Sequence, residues 1–522
     1  MHGIMTPVTL SRPANADKDA EAGRKADFLS VQTDPSLDRL SPATLNAARP
    51  GVLRPAYDRD ATRIGVLHFG PGAFFRAHQA WYFDQLLARD PRWAICAVSL
   101  HSRGVAEALG PQDGLYTLAE LDEANTFRVI GSVREVLVAP DSPDAVFDRL
   151  TSPDLKLVTM TVTEKGYCLD AGGTLDLNHP DIRRDLAAPH APISLIGWIT
   201  EGLARRRAAG TAPFVTLSCD NLADNGLKLG RAVAAFARAR RETDLAAWIE
   251  AEARFPRTMV DSITPATDET LKARVAAELG LTDVWPIQRE RFVQWVIEDD
   301  LGPDASDLAS VGAIITADVA GFERAKLRQL NGAHSSLAYL GLLAGLESVA
   351  DAMADPALAE FVRRLMIDDI APTLNPPQSM VLGDYIDAIL ARFRNPAIRH
   401  LLSQIAWDGS QKLPIRLLAT VRDALAAGRS VDRLAVPVAA WMRYVTEAAG
   451  RGEAVVDPLA EQLKAVGAAC VGRAEVDVPA FLVLGAVFPG DVAEAPAFRT
   501  AVDRSYNALI EGSVARVIAR LL

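Results

Sequence analysis

Long apolar runs and an excess of basic residues are both missing from this sequence of 522 residues. No run approaches the roughly 18 apolar residues that a membrane-spanning helix requires. The 66 Asp and Glu residues outnumber the 55 Lys and Arg residues, and the formal net charge is −11. A nucleic-acid partner is therefore not expected, since it would need a basic surface. The N-terminus also lacks the charged-then-apolar design of a signal peptide, which favours a cytoplasmic protein without a membrane partner.

Cysteines are few, and their spacing does not favour the common cysteine-based sites. Cys96, Cys168, Cys219 and Cys470 are scattered along the chain, and no Cys-x-x-Cys pair is present. A disulfide framework or a structural zinc site would need paired or clustered cysteines. We therefore predict unpaired thiols in a reducing compartment.

The length and composition predict a globular protein with two or more cores. Hydrophobic residues make up 49% of the chain and charged residues 23%, as in ordinary globular proteins. Residues 1–54 are rich in Ala, Asp, Pro, Arg and Ser with little periodicity, so we predict a mobile arm that is ordered only near Leu37–Leu45. A start codon assigned too far upstream would have the same appearance.

A short apolar strand at residues 63–69 ends in a Gly-x-Gly turn, and a helix follows. This order is typical of the unit that opens a dinucleotide-binding domain, where glycines let the backbone approach the pyrophosphate. Arg76 stands near the place of the usual third glycine. An ordinary tight turn is the alternative interpretation. The candidate cofactor-binding residues here are Phe69, Gly70, Gly72, Ala73, Phe74 and Arg76.

Further strands and helices alternate up to about residue 310. Strand-like segments at residues 93–100, 127–130, 157–163 and 214–218 predict a Rossmann-type α/β domain over residues 55–310, with a mostly parallel sheet. The later composition is helical, so residues 311–522 are predicted to form a mostly α-helical substrate domain after a mobile arm at 1–54. Its expected helices cover residues 322–349, 355–367, 384–393, 396–406, 413–426 and 431–448.

The ends of these strands carry the next candidate residues. No carboxylate follows the second strand, where NAD enzymes usually hold the ribose; Arg103 stands there instead, either to accept a 2′-phosphate or to face solvent. Thr163 and Glu164 follow a later strand and are candidates for the cofactor site, since ligands bind beyond the carboxyl ends of such strands. Loop capping is the alternative for Glu164 and for the Asp and Asn residues near Asn221. Asp261 is either a cap or a group that tunes a nearby lysine.

A buried helix with polar groups on its first half is predicted from residue 326 onward. Apolar residues recur at helical spacing, at Leu327, Leu330, Ala333, Leu337 and Leu340. Desolvation disfavours a charged lysine, so Lys326 is a candidate proton donor and acceptor. Asn331 offers an amide to a developing oxyanion, and His334 shares its face. The alternative is a surface lysine beside an Asn cap and a core histidine.

Five separate stretches resemble the long-chain polyol dehydrogenases, also called the mannitol dehydrogenase family. Together they span about residues 55–520, and the first and last in combination are far more specific than either alone. The stretches are Gly70-x-Gly72-x-Phe74-x-Arg76-Ala-His78-Gln, Ser218-Cys-Asp-Asn221, Met259-Val-Asp261, Gln294-Trp-Val-Ile-Glu-Asp299 and Lys326-x4-Asn331-x2-His334.

The resemblance implies hydride transfer between NAD, or alternatively NADP, and a ketose-type carbonyl without a metal. It makes Lys326 the general acid/base, and it makes Asn221 and Asn331 a clamp on the substrate oxygen. His334 would orient the lysine or the substrate, with Asp261 close by. Oligomeric state is left open.

Three pieces are most similar to the fructuronate reductase branch of this family, which interconverts D-fructuronate and D-mannonate. They are residues 161–168, 408–418 and 441–444. A hexuronate carries a carboxylate that a hexitol lacks, so an added cation near the substrate is expected. Lys165 is the first candidate for that contact, with Arg392 and Lys412 behind it; all three are alternatively structural ion pairs.

Two departures from the family pattern bear on specificity. The missing acid after residue 100 leaves NAD and NADP both open. Ser262 and Arg291 stand where the family usually has Arg and Pro. The leading hypothesis is an NAD(P)-dependent fructuronate reductase. The alternatives are a mannitol or arabinitol dehydrogenase and a catalytically silent nucleotide-binding protein.

Overall fold

The computed structural model describes residues 37–122, 124–453 and 455–522. Its first part is built on a parallel sheet with helices, and its second part is helical, which confirms the predicted fold class. The strands are β1 (Ile64–Phe69), β2 (Ala94–Ser99), β3 (Tyr116–Leu121), β4 (Thr126–Ile130), β5 (Val133–Val138), β6 (Leu157–Met160), β7 (Val215–Ser218), β8 (Thr258–Asp261), β9 (Ile287–Glu290), β10 (Gln294–Glu298) and β11 (Ile314–Thr316).

The central sheet has the order β5-β2-β1-β6-β7, and every neighbouring pair is parallel. All residues of β2 and β6 are buried. Helices cover both faces of a parallel sheet, so such strands are apolar throughout rather than alternating. The carboxyl ends of β1, β6 and β7 therefore meet at one edge, and the turns that follow them carry the candidate cofactor residues.

Two smaller sheets bring further carboxylates toward that edge. One has the order β11-β10-β8, in which β8 and β10 are antiparallel and Asp261 pairs with Gln294. The other has the order β4-β3-β9 and ends at Glu290. β11 continues the strand-containing part of the chain to Thr316, beyond the boundary predicted at residue 310.

Helices of the first part flank these sheets and provide its apolar cores. The longest, Leu195–Ala208 and Asn225–Ala239, cover one face together with residues of β1 and β6. The α-helices of this part are Ala73–Ala77, Gln79–Leu87, Gly104–Leu109, Pro143–Thr151, Pro180–Ala187, Leu195–Ala208, Asn225–Ala239, Thr243–Glu252, Glu269–Leu279 and Ala305–Ser310.

The second part forms one large apolar core around the helix Asp432–Gly450. Three segments are π-helical: Lys326–Asn331, Leu365–Ile370 and Pro414–Leu418. The α-helices are Val319–Ala325, Gly332–Leu343, Val349–Ala354, Pro356–Arg364, Leu382–Arg394, Leu402–Ile405, Gly409–Leu413, Ala419–Ala426, Asp432–Gly450, Ala460–Ala469, Ala474–Leu482, Gly490–Ala493, Pro496–Glu511 and Val514–Ala519.

The helix predicted over residues 396–406 is wrong over most of its length. Only Leu402–Ile405 is helical. The preceding residues follow Pro396 as an irregular segment, in which Leu401 bridges to Ser348 and the His400 carbonyl accepts from the Val349 N–H. These contacts with another part of the chain replace the local hydrogen bonds of a helix.

The described part of the predicted arm is packed against the first domain. Leu40 is fully buried with Leu271 and Leu279, and its N–H donates to the Thr282 carbonyl at 2.8 Å. Leu53 bridges to Arg128. Order near Leu37–Leu45 agrees with the prediction, and the bridge at Leu53 shows that contacts with the first domain extend beyond that stretch. The rest of that arm, residues 1–36, lies outside the described residues.

Two simpler observations complete the fold. Within the described ranges, no helix is both long enough and apolar enough to cross a membrane. The four cysteines are all unpaired, and Cys96, Cys168 and Cys219 are buried.

Candidate active site

The Lys326 amine lies where the helical part of the chain meets the sheets of the first part. Lys326 is only 9% exposed, although it begins the π-helical segment Lys326–Asn331. Its Nζ donates to Asn221 Oδ1 at 2.9 Å and to the Val260 carbonyl at 2.6 Å. Both partners follow or belong to strands of the first part, so the amine is positioned by the junction rather than by its own helix.

The electrostatic surroundings favour the neutral form of this amine. Burial lowers the pKa of Lys326 from its ordinary value; Asp261 works in the opposite direction, and the charges of Arg392 and Arg416 lower it further. A lysine that loses its proton more easily than usual is suited to accept one from an alcohol and return it to a ketone. The burial of Lys326 excludes the alternative of a surface lysine.

The two asparagines predicted for the site differ in their contacts with the amine. Asn221 is exposed, and its oxygen is engaged by Lys326, which leaves its Nδ2 as a donor toward the open side. Asn331 ends the π-helical segment, and its half-buried amide makes no side-chain hydrogen bond to any described residue. Both are therefore available as donors to an oxygen that gains negative charge.

His334 lies on the helix that continues from this segment and is 6% exposed. Its ring packs on Phe393, with centroids 4.4 Å apart, and its Nε2 is buried without a partner among the described residues. Burial lowers the pKa of His334 well below its ordinary value, and His400, Arg392 and Arg416 lower it further. The imidazole is therefore neutral, and one ring nitrogen is free for a substrate hydroxyl.

Asp261 belongs to a buried ion-pair network that the sequence does not reveal. Arg392 donates to Asp261 through Nη1 at 2.7 Å and Nη2 at 3.1 Å. Its Nε and Nη2 also donate to Glu290, at 2.8 and 2.7 Å. All three side chains are at most 5% exposed, and Phe292 lies against the guanidinium at 4.2 Å. Arg392, predicted as a substrate contact, is thus occupied by two carboxylates.

One departure from the family pattern, at residue 291, lies next to this network. Glu290 ends β9 and is held by Arg392 and by the Ile263 N–H at 2.6 Å. The next residue, Arg291, is 82% exposed and lies 3.8 Å from Asp122 at the surface. The change at residue 291 therefore points away from the buried carboxylates.

The Gly-x-Gly turn after β1 fits a dinucleotide. Gly70 has φ +80°, and a Cβ there would lie 2.4 Å from the Thr161 carbonyl, so the protein itself requires glycine. Gly72 is different: it is exposed, and a Cβ there would meet no protein atom nearer than 3.8 Å. Protein packing does not explain the missing side chain at Gly72, whereas the approach of a pyrophosphate to the helix that begins at Ala73 does.

Two predicted cofactor residues have buried side chains. Phe69 is fully buried in the core beside β6. Arg76 is 1% exposed; its guanidinium lies 3.7 Å from the ring of Trp285, and Nη1 donates to the Trp285 carbonyl at 2.5 Å. Both side chains therefore pack within the protein, which differs from the predicted contact with a cofactor. Phe74 is half-buried and stacks on His78.

Arg103 follows β2, as predicted, and it is paired. Its Nε and Nη2 donate to both carboxylate oxygens of Asp141 at 2.7 Å, and its side chain is 69% exposed. Asp141 comes from the turn after β5, 38 residues beyond Arg103, so the pairing is not visible in the sequence next to β2. The exposed pair places a carboxylate and a guanidinium together where the ribose of a dinucleotide would bind.

The turn after β6 is strained and is held by Asp220. Thr163 has φ 66°, which is rare for a β-branched residue. The Asp220 carboxylate accepts from the N–H groups of Val162 and Thr163 at 3.0 and 2.9 Å and from the Tyr167 hydroxyl at 2.7 Å. Asp220 thus ties this turn to its neighbour Asn221. The role of Asp220 is not visible in the sequence, because the groups that it binds lie more than 50 residues away along the chain.

The remaining candidates are Glu164 for the cofactor and Lys165 and Lys412 for the substrate, and they differ in burial. Glu164 and Lys165 are exposed on the 3₁₀-helix Glu164–Tyr167. Lys412 is half-buried, and its Nζ donates only to the Ile405 carbonyl, at 3.3 Å. Among the described residues, one group of three side chains has the spacing of metal ligands, namely Cys168, His179 and Asp181. This group does not include Lys326, Asn221, Asn331 or His334.

Comparison with known proteins gives the same picture over almost the whole chain. A family model for the mannitol dehydrogenase Rossmann domain matches residues 64–306, and one for the mannitol dehydrogenase C-terminal domain matches residues 318–510. The D-mannonate oxidoreductase of Escherichia coli strain K12 is 43% identical over 480 residues, which cover 90% of this chain and 98% of that protein.

Polyol enzymes are also similar to this chain. A mannitol 2-dehydrogenase of Phaeosphaeria nodorum is 37% identical over 444 residues, which cover 82% of this chain and 78% of that protein. The solved structure of Pseudomonas fluorescens mannitol 2-dehydrogenase, a ternary complex with NAD and D-mannitol, is 37% identical and has a TM-score of 0.78. It covers 92% of this chain and 99% of that one.

Proposed function

Because the chain belongs to the mannitol dehydrogenase family and is an NAD(P)-dependent oxidoreductase, we propose that it interconverts D-fructuronate and D-mannonate by hydride transfer. The substrate assignment is supported by the 43% identity to a D-mannonate oxidoreductase over 90% of the chain. The observation that carries the chemistry is the buried Lys326 amine, which is held at 2.9 Å by Asn221 at the junction of the two parts.

The proposed proton transfer uses protein groups alone. A bound nicotinamide accepts or donates the hydride. In the oxidation of D-mannonate, neutral Lys326 takes the proton of the reacting hydroxyl and becomes an ammonium ion; in the reduction it returns that proton to the new alkoxide. The Nδ2 groups of Asn221 and Asn331 stabilise the oxygen while it carries negative charge. We propose a metal-independent reaction, since both the proton and the developing charge have protein partners.

A polyol 2-dehydrogenase is the second candidate function. It is favoured by the similarity to the mannitol 2-dehydrogenase of Pseudomonas fluorescens over 92% of this chain. The two candidates share the Lys326 chemistry and differ in whether the substrate carries a carboxylate. A catalytically silent nucleotide-binding protein is the weakest alternative, because such a protein is expected to lose some of the reacting groups, whereas Lys326, both asparagines and His334 are all present in this sequence.

The decisive experiment follows NADH and NADPH absorbance with D-fructuronate, D-tagaturonate and D-fructose as oxidants, in buffer with and without a chelator. Fast turnover of D-fructuronate alone is expected. Turnover of D-fructose alone would move the protein to the polyol function, and turnover of D-tagaturonate alone would change the stereochemical assignment. Loss of activity in chelator that is restored by a divalent metal would contradict the metal-independent mechanism.

A further inference from the structure

Arg416 is a cation near Lys326 that has no carboxylate partner among the described residues. It lies on the π-helical segment Pro414–Leu418, and its Nη1 donates to Ser335 Oγ at 3.1 Å. Its Nε is buried and has no hydrogen-bond partner among the described residues. A buried guanidinium normally has an anion beside it, because leaving the charge unpaired is costly.

Other arginines of the helical part have carboxylate partners. Arg328, Arg422 and Arg433 are each within 2.6 Å of an Asp carboxylate, namely Asp423, Asp491 and Asp369. For Arg392, burial works against the charge, but Asp261 and Glu290 outweigh it and raise the pKa. For Arg416, burial lowers the pKa, and Tyr339 and Asp408 do not restore it.

The position of Arg416 connects it to the reacting groups. Its hydrogen-bond partner Ser335 follows His334 in the chain, and a Cβ at Gly332 would lie 3.0 Å from the Arg416 carbonyl. The π-helical segment Pro414–Leu418 is thus in direct contact with the helix that carries Asn331 and His334. The charge of Arg416 also reaches the Lys326 amine, whose pKa it helps to lower after burial and Arg392.

Lys412 adds a second incompletely paired cation on the same stretch of chain. It precedes Arg416 by four residues, and its Nζ donates only to a backbone carbonyl at 3.3 Å. Burial and the charge of Arg416 both lower the pKa of Lys412. Two cations that repel each other in a partly desolvated place destabilise the protein unless an anion binds between or beside them.

We propose that Arg416, assisted by Lys412, binds the carboxylate of the sugar-acid substrate and so selects hexuronates over polyols. This proposal rests on the proposed function, in which the substrate carboxylate lies several carbons from the reacting one. A planar guanidinium with an unpaired edge suits bidentate recognition of a carboxylate. Arg392 is saturated by Asp261 and Glu290, and Lys165 is exposed, so neither offers the same buried, unpaired donors.

The test compares Arg416→Met and Arg416→Lys with the wild type. We expect Arg416→Met to lower kcat/KM for D-fructuronate, and the affinity of the NAD-loaded enzyme for D-mannonate, by at least about 50-fold. Affinity for D-mannitol and for NADH should change less than about threefold. Arg416→Lys should recover part of the loss, since it keeps the charge but not the fork. Arg422→Met, an exposed arginine on the following helix, is the matched control and should leave all constants unchanged.

The outcomes separate this proposal from the proposed function. Equal losses for charged and neutral ligands in Arg416→Met would show a structural role and overturn the proposal while the function stands. A selective loss in Lys165→Gly with none in Arg416→Met would do the same and assign the carboxylate to Lys165. If the wild type reduced only D-fructose but bound D-gluconate competitively in an Arg416-dependent way, the function would fail and the carboxylate site would stand. No binding of any sugar acid by the wild type would overturn both.

Discussion

Replacing Arg392 with methionine should strongly destabilise the protein in a pH-dependent way. The wild-type guanidinium makes four hydrogen bonds of 2.7–3.1 Å to Asp261 and Glu290, and all three side chains are at most 5% exposed. The variant leaves two carboxylates buried without their cation. Removing one partner of a buried pair costs about 3–5 kcal/mol, which for a domain of 150–250 residues corresponds to a fall in Tm of about 6–20 °C.

The pH dependence follows from the carboxyl groups. In the wild type, burial would raise the pKa of Asp261, but Arg392 and Lys326 bring it below its ordinary value. Without Arg392, burial dominates for Asp261 and for Glu290, so their folded-state pKa values lie above the unfolded ones. Groups with a raised folded-state pKa contribute stability at low pH and lose it as the pH rises. The deficit of Arg392→Met should therefore be larger at pH 8 than at pH 5.

Thermal unfolding followed by circular dichroism at both pH values measures this effect. Arg399→Met is the matched control, because Arg399 and its partner Glu347 are 72% and 66% exposed and such pairs contribute about 0–1 kcal/mol. A fall in Tm at pH 8 no larger than that of the control would refute the idea that this network is a stabilising unit. A fall in Tm that is the same at pH 5 and at pH 8 would also refute this reasoning.

Three further changes test the chemistry. Lys326→Ala should lower turnover by at least about 100-fold, while NADH binding measured by fluorescence should stay within about twofold of the wild type. Substantial remaining turnover would contradict the assignment of Lys326 as the general acid/base. Asp261→Asn should move the ascending, acid-side limb of the kcat/KM profile for D-mannonate oxidation to lower pH, since the Asp261 carboxylate raises the pKa of Lys326 against the effect of burial; a limb at the same or higher pH would count against it. Arg103→Gln should lower kcat/KM for NADPH about tenfold and for NADH much less, because Arg103 is the cation beyond β2; equal losses would exclude recognition of a 2′-phosphate.

The sequence was sufficient for the fold class and for the residues around Lys326. Apolar strands, the Gly-x-Gly turn and the helical second half are local patterns, and each appears at nearly the predicted place. The Lys-x4-Asn-x2-His spacing brought Lys326 and Asn331 onto one segment. That Asn221 belongs beside Lys326 followed from the resemblance, because no local rule relates residues 105 positions apart.

Side-chain direction and long-range charge pairing were beyond the sequence. Arg76 stands in a motif beside the cofactor turn, yet its guanidinium stacks on Trp285, which lies 209 residues later. Asp141 pairs with Arg103 from the turn after β5, and Glu290 reaches Arg392 from β9. Such pairs depend on how sheets and helices meet, so neither spacing nor composition contains them.

Two of the three π-helical segments show why geometry adds to this kind of prediction. Apolar spacing from residue 326 onward predicts a regular helix, and the same residues are compatible with the wider turn of Lys326–Asn331. A π segment changes the angular positions of the residues that follow it and is frequent at functional sites. Here Lys326 begins one such segment and Arg416 lies within another. The irregular turns thus carry the two cations that we assign to the proton and to the carboxylate. An α-helical register over Lys326–Asn331 would change the angular positions of Asn331 and His334 relative to Lys326.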